Sequence, residues 1–111
     1  MSEVRLLIAD ADQAVRGAIE QRAIGEGYTV DQAVDGVAGL KLFRHNRYSL
    51  AILDTDLPQI DGISVCRQIR KVSDMPVILL SQSNVSSDRM YGFEMGADDY
   101  VTKPFHMPEL M

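Results

Sequence analysis

Four polar residues stand where short apolar runs end. Asp10 follows Leu6-Leu7-Ile8-Ala9, Asp54 follows Ser49-Leu50-Ala51-Ile52-Leu53, Ser81 follows Val77-Ile78-Leu79-Leu80, and Lys103 follows Tyr100-Val101-Thr102. A short apolar run closed by turn residues reads as a buried strand. In an open sheet of parallel strands the carboxyl ends share one edge, the edge where such folds hold ligands. The four groups would then meet. Carboxylates brought together repel, and a hard divalent cation such as Mg²⁺ relieves that repulsion. A carboxylate beside a hydroxyl, an ammonium and such a cation suits a phosphoryl group. Ser81 and Lys103 would donate to its oxygens, and Asp54 would attack phosphorus to form an acyl phosphate. Taken alone, Asp54 could also be a metal ligand or a cap for the loop Asp54-Thr55-Asp56-Leu57-Pro58.

The elements that must position these groups follow from the pattern of apolar residues. Apolar runs occupy residues 4–9, 28–34, 50–53 and 77–80, with a shorter one at 100–102. Helix-like stretches lie between them. The first begins at Asp12, a good N-cap, carries Val15, Ala18, Ile19 and Ala23 on one side, and ends at Gly25 or Gly27. The second spans 36–45 with Val37, Leu40, Leu42 and Phe43. The third follows Asp61-Gly62 and carries Ile63, Cys66 or Val65, and Ile69. The fourth starts after Ser83 or Ser86, carries Met90, Phe93 and Ala97, and is stopped at Gly96. This alternation predicts an α/β fold with one doubly wound parallel sheet. Residues 104–111 begin like a fifth helix, with Pro108 in its first turn, and then end. The expectation is a truncated or absent last helix, and a longer parent that carries an output domain.

Composition narrows the functional classes. One domain fits 111 residues, and 46% hydrophobic residues can build a core. A net charge of −5 argues against nucleic-acid binding by this segment, because phosphate affinity needs an excess of Lys and Arg. The single Cys66 makes an internal disulfide impossible and suits the reducing cytoplasm; it reads as a small core residue. No stretch approaches the ~20 apolar residues of a membrane span, and residues 1–5 do not open a secretion signal. His45 and His106 lack partner ligands, and Asp98 and Asp99 read as solvated loop acids.

The chain resembles the receiver domains of two-component response regulators over essentially its whole length. The resemblance is carried by Leu6-Leu7-Ile8-Ala9-Asp10, Gly27-Tyr28, Asp35-Gly36, Asp54, Leu57-Pro58, Asp61-Gly62, Ser81 and the block from Gly96-Ala97-Asp98-Asp99-Tyr100 to Lys103-Pro104-Phe105. It implies a flavodoxin-like strand order 2-1-3-4-5. It further implies that Asp54 is the phosphoacceptor, served by a histidine kinase or a phosphotransfer protein. Asp10 and the backbone carbonyl of Asp56 would join Asp54 on Mg²⁺. Ser81 would bind a phosphoryl oxygen and shift, Lys103 would contact the phosphoryl group, and Tyr100 would act as the aromatic switch. The Lys103-Pro104 bond would be cis. A homodimer is a further expectation of the family, and a receiver is a switch rather than an enzyme.

Two departures from the family pattern matter. The second acid of the first pair is replaced by Ala11, which removes a direct metal ligand. Asp12 or the Asp56 side chain is the expected substitute, although Asp12 also reads as a helix cap. Gln82 stands where the family has a small residue after the hydroxyl, and a long side chain there would crowd or gate the entry. Both departures motivate an alternative: a pseudo-receiver that keeps the fold as a protein-interaction module without Mg²⁺-dependent phosphorylation. A third reading, a haloacid-dehalogenase-type phosphatase built on Asp54-Thr55-Asp56, fails at Pro58 and leaves Asp10 unused.

Overall fold

The computed structural model describes residues 4–105. Five strands alternate with four helices: β1 (Arg5–Ala9), α1 (Gln13–Gly25), β2 (Thr29–Ala33), α2 (Gly36–His45), β3 (Leu50–Asp54), α3 (Gly62–Arg70), β4 (Val77–Ser81), α4 (Ser86–Glu94) and β5 (Asp99–Thr102). The strands form one parallel sheet in the order β2-β1-β3-β4-β5. The second helix keeps the bounds expected from sequence. The expected fifth helix lies beyond Phe105, largely outside the described residues.

The central strands are apolar on both faces because both faces are covered. Leu7, Ala9, Ala51, Leu53, Val77 and Leu79 join Leu40 of α2 and Val65, Cys66 and Ile69 of α3 in one buried cluster. The alternate residues Ile8, Ile52, Leu80 and Val101 join Ile19 of α1 in a second. The two-residue period of the strands thus sorts the side chains between two helical layers. Strand β2, at the sheet edge, carries Asp31 and Gln32 instead of an unbroken apolar run.

Helix starts follow from their caps. Asp12, Asp35 and Asp61 accept hydrogen bonds from the amides of Ala14, Ala38 and Ser64 respectively. Helix α4 differs: its N-cap is Val85, with no side-chain cap. Its apolar residues also depart from expectation. Met90 and Phe93 are 62% and 41% exposed, and Gly92 is the residue that α4 buries. On α1, Ile19 and Ala23 are buried as expected while Ala18 faces solvent. Ala97 is buried, but in the loop after α4 rather than on it.

At the edge of the sheet opposite the strand ends, Arg70 ties three segments together. Its guanidinium donates to the carbonyls of Gly96 (2.8 Å), Ser73 (3.3 Å) and Met75 (2.5 Å), and to Asp98 Oδ2 at 2.5 Å. Asp98 also accepts the Val77 amide at 2.8 Å. Asp98 is therefore an anchor for β4 rather than a merely solvated acid. Asp99 opens β5 and is exposed. No helix among the described residues is long and apolar enough to cross a membrane.

Candidate functional site

The strand register brings the four polar residues to one edge. Ala9 pairs with Leu53, so Asp10 and Asp54 follow side by side. Asp54 pairs with Leu80, and Ser81 pairs with Thr102, so Ser81 lies one step further along and Lys103 two. Asp10, Asp54 and Ser81 are 1%, 7% and 4% exposed, which makes them the buried polar groups of the described chain.

A single ammonium joins the two carboxylates. Lys103 Nζ donates to Asp10 Oδ2 at 2.7 Å and lies 3.4 Å from Asp54 Oδ2. The remaining oxygens are held by local backbone: the Asp12 amide donates to Asp10 Oδ1 at 2.8 Å, and the Asp56 amide to Asp54 Oδ1 at 3.1 Å. Glycine at position 62 permits the close approach of α3 to this loop, since a Cβ there would overlap the Asp54 carbonyl oxygen. The Lys103-Pro104 bond is cis, as the resemblance implied.

The electrostatics follow from burial and charge. Burial pushes the Asp54 carboxyl above the usual carboxylate range, and the charge of Asp10 adds to it, against the Asp56 amide and Lys103. Burial alone would pull Lys103 down, but its hydrogen bond to Asp10 and the two carboxylate charges outweigh it, and its pKa rises. Lys103 is therefore a fixed cation. Two carboxylates against one ammonium leave one formal negative charge in a poorly solvated site. That residual charge, and donors that are all oxygen, are what a hard cation requires. Asp10 and Asp54, with the Asp56 carbonyl, are the groups that could hold one.

Ala11 is exposed and offers no ligand. Asp12 does not take its place. Its Oδ1 accepts the Ala14 amide at 2.9 Å, so it is engaged as the cap of α1. Among the described residues no three acidic, His or Cys side chains gather as a metal cluster. The Asp56 side chain is exposed beside the site.

Ser81 opens onto a cavity of about 600 Å³ lined by Thr55, Asp56, Gln82, Asp88 and Tyr100 among others. Gln82 lies at its exposed wall rather than inside the core. Tyr100 is 2% exposed, and its hydroxyl donates to the Ser83 carbonyl at 3.1 Å.

Two contributors escaped the sequence reading. Arg16 Nη1 donates to the Asp10 carbonyl at 2.7 Å, and Arg16 Nε to Gln32 at 2.9 Å, which steadies the turn bearing Asp10. Its position one turn into α1 is the signal that could have found it. Ser83 is the other. Its amide donates to Ser81 Oγ at 3.1 Å, its hydroxyl to Asp88 Oδ2 at 2.7 Å, and its Oγ accepts the Val85 amide at 3.2 Å. His45 bonds within its own helix, to the Lys41 carbonyl. His106 lies outside the described residues.

Comparison with known proteins agrees with this geometry. The sequence model of the response regulator receiver domain matches residues 6–111. Response regulator MprA of Mycobacterium sp. (strain KMS) is 41% identical over 109 residues, which is 97% of this chain and 47% of that protein. The chain thus spans about half the length of this relative. The receiver domain of Francisella response regulator 1452 superposes with a TM-score of 0.92 at 34% identity, covering 97% of this chain and 90% of that one. A CheY-like receiver domain protein from Methanospirillum hungatei JF-1 gives 0.90 at 27% identity, covering 98% and 88%. With the sheet order, the edge cluster and these matches in agreement, the chain belongs to the response regulator receiver domain family of two-component signalling.

Proposed function

We propose that this chain accepts a phosphoryl group on Asp54 and that Ser81, Tyr100 and α4 read the modification out. The carrying observation is the Lys103 ammonium set between buried Asp10 and Asp54. A carboxylate whose pKa is raised by burial is a better nucleophile than a solvated one, and Lys103 lies where a phosphoryl oxygen would need a counter-charge. An Asp54 oxygen attacks the phosphorus of a phosphohistidine. The P–N bond breaks, the O–P bond forms, and the departing imidazole takes up a proton. Lys103 donates to one phosphoryl oxygen and the Ser81 hydroxyl to another. Mg²⁺, held by the Asp10 and Asp54 carboxylates and the Asp56 carbonyl, would neutralise the remaining charge. Because Ala11 supplies no carboxylate, this chain would hold the ion with fewer protein ligands and more water.

On this reading the chain is a signalling switch rather than a turnover enzyme. Its donor is a histidine kinase or a phosphotransfer protein, it works in the cytoplasm, and it serves as the receiver of a longer regulator with an output domain. The exposed Met90, Tyr91 and Phe93 of α4 support pairing of two copies. A second reading keeps the fold as a protein-interaction module without phosphorylation; the exposed Ala11 and, among the described residues, the lack of a third carboxylate grouped with Asp10 and Asp54 favour it. Incubation with a small phosphodonor and Mg²⁺, followed by intact mass, separates the two. Gain of one phosphoryl group, lost in Asp54→Asn, supports the first. No gain from either the small donor or a cognate kinase supports the second.

A further inference from the structure

Tyr100 is seated under α4 by residues that none of the site motifs contains. Gly92 faces the ring. A Cβ at position 92 would come within 3.0 Å of Leu79 Cδ1 and 3.1 Å of Tyr100 Cδ2, inside the ordinary carbon–carbon contact of about 3.5–4.0 Å. Arg89, one turn earlier, holds its guanidinium 5.4 Å from the Tyr100 ring centroid and 5.8 Å from that of Phe93. Both are within cation–π reach. The other end of Tyr100 is held as well: its hydroxyl donates to the Ser83 carbonyl, and Ser83 Oγ donates to Asp88 of the same helix. Helix α4 buries no residue besides Gly92. Its attachment to the sheet therefore runs through Leu79 and the ring of Tyr100 beneath Gly92, together with the Ser83–Asp88 bond.

We propose that Gly92 and Arg89 are positioning residues that seat the Tyr100 ring and make the placement of α4 depend on it. The consequence for signalling rests on the reading of Asp54 as phosphoacceptor. The Ser83 amide is bonded to Ser81 Oγ. A shift of Ser81 toward a phosphoryl group thus pulls on Ser83, on the Tyr100 hydroxyl bonded to it, and through the ring on the backbone of α4 at Gly92. A methyl group at position 92 crowds the ring edge and Leu79, and α4 or the ring must give way to admit it. Loss of Arg89 uncovers the outer side of the ring but leaves the contact at Gly92 intact.

The test uses the chain labelled with fluorotyrosine, with the Tyr100 resonance assigned through Tyr100→Phe. Fluorine NMR is recorded with and without a small phosphodonor and Mg²⁺, alongside amide spectra of α4 and intact mass. In Gly92→Ala the Tyr100 resonance is expected to move toward its solvent-exposed position. The donor-induced shifts of the α4 amides should shrink, while the extent of Asp54 phosphorylation stays at the wild-type level. Arg89→Gln should move the ring resonance the same way by a smaller amount, and it decides the matter if Gly92→Ala does not fold. A ring resonance unchanged in both variants overturns the proposal. So does a displaced ring with an undiminished α4 response. Should the wild-type chain take up no phosphoryl group, the phosphoacceptor reading fails, while the ring shifts measured without donor still decide whether Gly92 and Arg89 form the seat.

Discussion

Helices α3 and α4 are each nine residues long and sit on the same side of the sheet, yet they are attached to it by different means. Helix α3 buries Gly62, Val65, Cys66 and Ile69 and begins at Asp61, whose carboxylate accepts from both the amide and the hydroxyl of Ser64. Its first residue lies against the Asp54 carbonyl. Helix α4 buries Gly92, begins at the uncapped Val85, and leaves Met90, Tyr91 and Phe93 exposed. Apolar burial supplies most of the stability of a helix in a folded domain. The helix that packs against the acceptor loop is therefore fixed, and the one that packs against Ser83 and Tyr100 is free to respond. Weakly held elements are those from which moving parts are drawn.

Truncating the cores of the two helices should break this comparison most sharply if it is wrong. Ile69→Ala removes a fully buried side chain and should cost about 2–5 kcal/mol in urea denaturation. Phe93→Ala, at an exposed position, should cost less than about 1 kcal/mol. Equal losses would mean that α4 is as firmly packed as α3.

The caps give a smaller effect of opposite sign at the two helices. Asp61→Ala should destabilise by about 1 kcal/mol, whereas Val85→Ser, which gives α4 the cap it lacks, should stabilise by up to about 1 kcal/mol. Amide hydrogen exchange supplies the local readout: α4 amides should exchange faster than those of α3, and Val85→Ser should slow them. Unchanged exchange in α4 would show that its start is already held by the Ser83 contacts.

The smallest effect concerns Asp54 itself. Burial, followed by the charge of Asp10, raises its pKa in the fold, so folding favours the protonated form more than the unfolded chain does. The stabilising contribution of Asp54 is complete below the unfolded value of about 3.9 and is lost as pH rises through the folded value. Asp54→Asn should therefore melt higher than wild type at neutral pH, and the gain should fade below about pH 4. An Asp54→Asn chain that melts lower at neutral pH would mean that the ionised carboxylate stabilises the fold through Lys103.

Much of the site was legible because Asp10, Asp54, Ser81 and Lys103 each follow an apolar run, and parallel pairing carries such positions to one edge. The capping role of Asp12 was legible for a local reason: side chain and amide are two residues apart. The buried face of helix α4 was misread, although the helix and its stop near Gly96 were legible. Apolar spacing assumes that apolar side chains face the core, but here Leu79 and Tyr100 fill the space beneath the helix and its backbone packs on them at Gly92. Asp98 is the exposed loop acid expected, but its tie to Arg70 was not legible, because that partner lies 28 residues away on another element. Ser83 reaches Ser81 and Tyr100 through its backbone amide and carbonyl, which no residue type announces.

The most direct test of the central claim locates the phosphoryl group. The chain is treated with a small phosphodonor and Mg²⁺, reduced with borohydride to convert an aspartyl phosphate to homoserine, digested, and mapped by mass spectrometry. Homoserine at position 54, and only where donor and metal were both present, is the predicted result. Aspartate intact at position 54, or homoserine at another acid such as Asp10 or Asp56, would contradict it.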